Sequence, residues 1–186
     1  MNYQDKITIG IRDSELSKAQ TKEFIFHAEK SINEINKNSF EIKFIKTSGD
    51  IHNTVRLDRI GGKGLFVKEI EERILANEVD IGVHSIKDMP ATSHRDLEIF
   101  CYMSRVDNSD VLMSNSGKNL ANLDSGSIVG TSSVRRRAQI LNFRKDLKIK
   151  LLRGNVDTRI QKLRSNEFDA VILAYAGLKR LNMESE

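Results

Sequence analysis

Apolar and polar positions along the chain alternate between the period of a strand and the period of a helix. Lys6-Ile7-Thr8-Ile9-Gly10-Ile11 alternates every second residue, and Ser14 then stands as an N-cap before a helical pattern carrying Leu16, Ala19, Ile25, Ala28, Ile32 and Ile35. Phe40, Ile42 and Phe44 predict a second strand. Thr47 to Gly64 reads as a loop holding Gly49, Gly61, Gly62 and Gly64, and leads into a helix from about Leu65 to Ala76. The short apolar run Val79 to Val83 predicts a buried parallel strand. It ends in His84-Ser85-Ile86-Lys87-Asp88-Met89-Pro90, where the only proline of the chain stops regular structure. A polar segment after such a strand is where open α/β sheets place ligands.

A further strand is expected at Leu97 to Tyr102, followed by the polar break Ser104 to Ser109 and a new series of strands and helices. That series reads as strands Val111 to Met113 and Ser127 to Gly130, helix Ser133 to Phe143, strand Ile149 to Leu152, helix Val156 to Arg164, strand Ala170 to Leu173 and helix Ala176 to Leu181. Strands alternating with helices predict an α/β fold with mainly parallel sheets. The break divides it into a first domain over residues 1–103 and a second over 104–186. The chain has no internal repeat and no low-complexity tract.

Composition narrows the class. With 186 residues, 39% of them hydrophobic and 30% charged, one Pro and 11 Gly, the chain is that of a globular protein and excludes disorder and collagen-like repeats. The single cysteine, Cys101, forms no internal disulfide, and four scattered histidines give no zinc spacing, so a reducing compartment and no metal are expected. The start is polar where a signal peptide is apolar, and the longest apolar run, Ala170 to Leu178, is far below the ~18 residues of a membrane span. Cytoplasmic location follows as the expectation.

Charge is uneven. Ser132 to Arg164 holds eleven Lys/Arg against Asp146 and Asp157, so this window is +9 while the remainder of a chain with net charge +4 is −5. Such a patch calls for an anionic partner, and its bias to Arg suits planar anions gripped in a fork. Nucleic acid is set aside because the window has one aromatic, Phe143, and no recognisable binding motif.

Thr131-Ser132-Ser133 follows a strand and opens a helix, bringing hydroxyls and backbone N–H groups toward Arg135 and Arg136. Arg153-Gly154-Asn155 repeats the arrangement, with Gly154 allowing close backbone approach and Arg159 one turn inside the helix. Taken singly, Ser and Asn at these turns could be mere helix caps; paired with arginines they point to a ligand with several anionic groups. Asp88 is either a carboxylate stabilising a developing cation or a loop residue capping a turn. Gly61-Gly62-Lys63-Gly64 lacks the spacing of a phosphate loop and no GxGxxG is present, which argues against ATP and NAD. Cys101, within Ile99 to Met103, reads as a buried structural thiol.

Six segments together resemble the porphobilinogen deaminase (hydroxymethylbilane synthase) family of tetrapyrrole biosynthesis: Gly10 to Ser14, GGKGLFVKEIE (Gly61 to Glu71), VDIGVHSIKDMP (Val79 to Pro90), GTSSVRR (Gly130 to Arg136), LRGNVDTR (Leu152 to Arg159) and LAYAGLKRL (Leu173 to Leu181). The resemblance implies two domains like type II periplasmic binding proteins with a ligand cleft between them, plus a third, smaller domain, and a dipyrromethane cofactor on a cysteine. It implies a transferase that joins four porphobilinogen units into hydroxymethylbilane with loss of ammonia, acting as a monomer on porphobilinogen and linear polypyrroles without membrane or nucleic acid.

By the same resemblance Asp88 is catalytic, stabilising the methylene-pyrrole cation. Arg12, Ser14, Ser85, Lys87, Thr131, Ser132, Ser133, Arg135, Arg136, Arg153, Gly154 and Arg159 surround the cofactor, and Lys63 and Phe66 join Arg12, Arg153 and Arg159 around the substrate. Ser14-Glu15-Leu16-Ser17 departs from the family's usual Pro-Leu-Ala after the first residue. The sequence also stops after the second domain's last motif, and Cys101 matches no cofactor-bearing motif, so the chain is expected to lack covalent dipyrromethane and activity when alone. The competing reading is a non-catalytic, two-domain anion-binding protein.

Overall fold

Ile7–Ile11 forms β1 of the computed structural model, which describes residues 6–51, 64–92 and 94–185. The chain divides into two compact units, Met1–Ser104 and Arg105–Glu186.

In the first unit β1 is central, parallel on one side to β2 (Phe40–Phe44) and on the other to β3 (Ile81–Gly82). Helix α1 (Glu15–Ser31) is capped by Ser14, whose hydroxyl accepts the Ser17 N–H. Its Phe24, Ile25 and Ala28 pack with Ile9, Ile11 and Phe40. The other sheet face meets α3 (Lys68–Leu75), reached after the one-turn helix α2 (Ser48–Ile51). Gly10 and Gly82 are register partners in adjacent strands. Side chains there would press on Ile70: a Cβ at Gly10 would lie 3.3 Å, and one at Gly82 2.9 Å, from its Cγ2. The two glycines therefore make the flat slot that seats α3.

In the second unit the strand order is β4-β7-β5-β6, with β4 (Asp110–Ser114), β5 (Ile128–Gly130), β6 (Lys148–Lys150) and β7 (Ala170–Ala174). β5, β6 and β7 are parallel, and β4 runs antiparallel to β7. Helices α4 (Val134–Phe143), α5 (Val156–Arg164) and α6 (Tyr175–Arg180) follow β5, β6 and β7. β7 is apolar throughout because it is buried on both faces: Val171 and Leu173 pack with Ile160, Leu163 and Leu178, while Ala170 and Ile172 pack with Ile140 and Leu147. Helices α3, α5 and α6 are each followed by an asparagine in the left-handed region, Asn77, Asn166 and Asn182, at φ 56°, 61° and 55°.

Several expectations are corrected. Helix α1 ends at Ser31, and Ile35 reaches the core from beyond it. The run of Asn33, Asn36 and Asn38 favours turns, and Asn36 instead closes a capping box on Lys37–Ser39. The expected loop from Thr47 begins with the helical turn α2, and its residues 52–63 lie outside the described ones. Gly64 to Val67 is turn rather than helix, with Gly64 at φ 72°. The run Val79 to Val83 contributes only Ile81 and Gly82 to the ladder.

Leu97 to Tyr102 is not a strand, and Cys101 is exposed rather than buried. Phe100 and Tyr102 are 63% and 71% exposed. An apolar segment becomes a strand only where a neighbouring edge supplies hydrogen bonds, and among the described residues this one pairs with none. No helix among the described residues is long and apolar enough to cross a membrane.

Candidate functional site

In the first unit the polar residues gather where β1 and β3 end. Arg12 directly follows β1, and its guanidinium grips the Asp50 carboxylate: Nε lies 3.2 Å from each oxygen, and Nη2 also donates to Oδ1. Its Cζ stacks 4.1 Å from the centre of the Phe66 ring. Burial acts to raise the Asp50 carboxyl, but hydrogen bonds from Arg12 and Thr47 and the Arg12 charge outweigh it and hold the group below its usual range. His84, two residues past β3, is lowered to about 4 by burial, with the Arg12 charge adding to the effect, so its imidazole is neutral near pH 7.

Ser85 accepts a hydrogen bond from the Gln20 amide at 2.9 Å, tying the segment after β3 to α1. Ile86–Asp88 then forms one 3-10 turn, closed by the Asp88 N–H to the Ser85 carbonyl at 2.9 Å; Asp88 is half-buried and Lys87 exposed. The Ser14 hydroxyl is used in capping α1 and donates to Ser17 at 3.0 Å. Lys63 lies outside the described residues.

In the second unit parallel pairing puts the carboxyl ends of β5, β6 and β7 on one edge of the sheet. There the two strand-to-helix turns meet directly: the Thr131 N–H donates to the Lys150 carbonyl at 3.1 Å, and the Ser132 hydroxyl donates to the Leu152 carbonyl, beside Arg153. Thr131 is buried, and its hydroxyl accepts the Ser133 N–H at 3.2 Å. Ser133 caps α4 by accepting the Arg136 N–H, whereas Asn155 occupies the cap position of α5 with no side-chain cap bond. The first N–H groups of α5 consequently face out of the turn without that acceptor.

The arginines differ in use. Arg153 is buried, and loss of hydration lowers its pKa from the ordinary value. Arg159 folds its Nε back on the Gly154 carbonyl at 2.7 Å. Arg135 is exposed. Arg136 is committed within the unit: Nε donates to Asp110 at 2.9 Å, Nη2 to the same carboxylate, and Nη1 to the Ile172 carbonyl at 3.2 Å.

Gly154 stands at φ 109°, a conformation L side chains rarely adopt, and a Cβ would come within 2.7 Å of Thr158 Cγ2. Gly154→Ala should therefore cost about 1–3 kcal/mol of stability in equilibrium unfolding. Adding Thr158→Ala should recover only part of the loss, because the Cβ at position 158 would itself lie 2.8 Å away and the backbone strain remains. A Gly154→Ala chain as stable as the parent would contradict this account of the turn.

Sequence reasoning missed Asp50, Glu69, Gln20, His84 and Asp110. Only the first had a local signal: Thr47-Ser48-Gly49-Asp50 is a Thr-x-x-Asp box, realised here by the Thr47 N–H donating to Asp50 at 3.3 Å.

The family model described as porphobilinogen deaminase, dipyromethane cofactor binding domain, matches residues 7–186. The chain belongs to the porphobilinogen deaminase family. Curated porphobilinogen deaminases of Bacillus thuringiensis (strain Al Hakam), Bacillus cereus (strain AH820) and Bacillus anthracis (strain CDC 684 / NRRL 3495) are each 48% identical to it over 181 residues. The match takes in 97% of this chain and 58% of each relative, so the chain spans a little over half the length of these porphobilinogen deaminases. Its α/β architecture of mainly parallel sheets flanked by helices agrees with membership of the family.

The donor set suits a dipyrromethane. Such a group presents carboxylates and pyrrole N–H groups, and the second unit offers the start of α5, the exposed Arg135 and the buried Arg153 on one sheet edge.

Proposed function

We propose that the chain is the pyrrole-binding part of a cytoplasmic hydroxymethylbilane synthase, which joins four porphobilinogen units head to tail with release of one ammonia at each step. The observation that carries the proposal is the pair of turns at Thr131–Ser133 and Arg153–Asn155, locked together through Ser132 and Leu152, with Asn155 leaving the start of α5 uncapped. An acetate and a propionate on every pyrrole make the growing chain a polyanion, which matches the +9 window.

In this reading Arg12, Arg135, Arg153 and Arg159 hold carboxylates, while Arg136 braces the site through Asp110. Thr131, Ser132 and Ser133 shape the turn, and Gly154 lets the backbone approach. Ser14, Ser85, Lys87 and Phe66 flank the ligand in the first unit. Dipyrromethane, when bound, supplies the pyrrole carbon that accepts the next unit. Asp88 accepts pyrrole N–H groups and stabilises the methylene-pyrrole cation left when the amino group of the porphobilinogen aminomethyl arm departs as ammonia. Binding and bond chemistry thus fall to different residues.

Titration of the chain with porphobilinogen and with a linear tetrapyrrole, with ammonia measured in parallel, tests this. Binding of the tetrapyrrole should be the tighter and should weaken as salt rises, since ionic contacts at the edge of a site are screened. Arg153→Leu should weaken it about tenfold or more. No binding of either ligand would refute the proposal. Binding without ammonia release, even when the chain replaces the matching segment of the Bacillus cereus relative, would establish the non-catalytic anion-binding protein instead.

A further inference from the structure

Among the described residues, one edge of the Arg12 guanidinium is used. Nε and Nη2 both donate to Asp50, and among the described residues Nη1 makes no hydrogen bond. One face of the group is covered by Phe66, while the side chain keeps 20% of its surface exposed. The remaining fork, Nη1 with the second N–H of Nη2, has the shape that takes a carboxylate in plane.

Asp50 is itself held. The Thr47 hydroxyl donates to its Oδ2 at 2.7 Å and the Thr47 N–H to the same oxygen at 3.3 Å. Their turn is pinned to α3 by Glu69, which accepts the Ser48 N–H at 2.8 Å and the Ser48 hydroxyl. Gly49, between them, leaves room for the Phe66 ring, which a Cβ at that position would overlap. A carboxylate that only neutralised Arg12 would act from any nearby position. One that aims Arg12 has to be fixed, and Asp50 is fixed by two hydrogen bonds from Thr47 on a turn that Glu69 holds.

We infer that Asp50 is a positioning residue, filling the Nε/Nη2 edge of Arg12 so that its other edge takes one carboxylate of a pyrrole side chain. This rests on the proposal that polypyrroles are the ligands. It deepens that proposal by assigning the orientation of Arg12 to a residue that does not touch the ligand.

The sign of one substitution separates aiming from neutralising. Removing a negative charge beside a cation strengthens its pull on an anion, so charge alone makes Asp50→Asn bind porphobilinogen more tightly. Positioning makes it bind more weakly, because asparagine offers one acceptor oxygen and turns an amide toward the guanidinium. The experiment is calorimetric titration of the parent chain, Asp50→Asn, Arg12→Gln and the double variant with porphobilinogen and with its diamide.

Asp50→Asn should lose about tenfold in affinity for the acid and nothing for the diamide, and the double variant should bind no worse than Arg12→Gln. Thr47→Val, which leaves both charges in place, should lose affinity in the same direction and serves if Asp50→Asn does not fold. Unchanged or tighter binding by Asp50→Asn, with the parent binding normally, overturns the positioning role alone. So does an equal loss for acid and diamide, which is the mark of a merely structural defect. A parent chain that binds no porphobilinogen overturns the proposed function and the ligand role of Arg12 with it.

Discussion

Asp88→Ala should slow ammonia release from porphobilinogen by about 10²–10³-fold, the usual cost of removing a preorganised group from a developing charge. The measurement suits a hybrid in which this chain replaces the matching segment of the Bacillus cereus relative, 48% identical over 181 residues. Preorganisation has a visible basis. Asp88 closes the 3-10 turn after β3, its N–H bonded to Ser85, and the Ser85 hydroxyl is bonded in turn to Gln20 of α1. The backbone that carries the carboxylate is thereby tied to the strand and to the helix. Asp88→Asn keeps the shape and removes the charge, so it should lose nearly as much rate as Asp88→Ala, while porphobilinogen affinity in either variant changes little. Near-parental ammonia release from either variant would remove Asp88 from the chemistry.

The parts of the fold legible in the sequence are those whose cause is local. Ser14 and Ser133 cap the helices they precede, and Val156–Arg164 is helical over the predicted range, because capping and 3.6-residue periodicity are properties of neighbouring residues. Leu97 to Tyr102 failed because its apolar and aromatic residues mark a preference that only a partner strand can realise. In the second unit the two turns could be located from their residues, yet the hydrogen bond from Ser132 to Leu152 joins positions 20 apart and depends on parallel pairing of β5 with β6. The same limit hid the use of the arginines. Arg12 finds Asp50 across 38 residues and Arg136 finds Asp110 across 26, so sequence could say that cations gather but not which of them a carboxylate of the protein already holds.

Acidification should destabilise the first unit above the range where its carboxylates titrate. His84 has a folded pKa of about 4 against 6.5 for the free side chain. Between those values the unfolded chain binds more protons at this position than the folded one, so stability rises with pH through that window. The contribution is complete above pH 6.5 and is lost as pH falls toward 4, amounting to about 3 kcal/mol in full. Asp50 acts elsewhere on the scale: its pKa is lowered from 3.8, so what it adds is lost only below that window. Urea unfolding of the parent chain and of His84→Gln at several pH values from 4 to 7 isolates the effect, because every other histidine is common to both.

The parent should lose stability across the window and the variant should be markedly flatter; parallel profiles would show that His84 is not held neutral by its surroundings. The physical cause ties this to the site. Burial disfavours the imidazolium first, and Arg12 adds repulsion. Protonation would place a second, poorly hydrated cation near the Arg12 guanidinium, so the same surroundings that keep His84 neutral in the fold turn its protonation into a loss of stability.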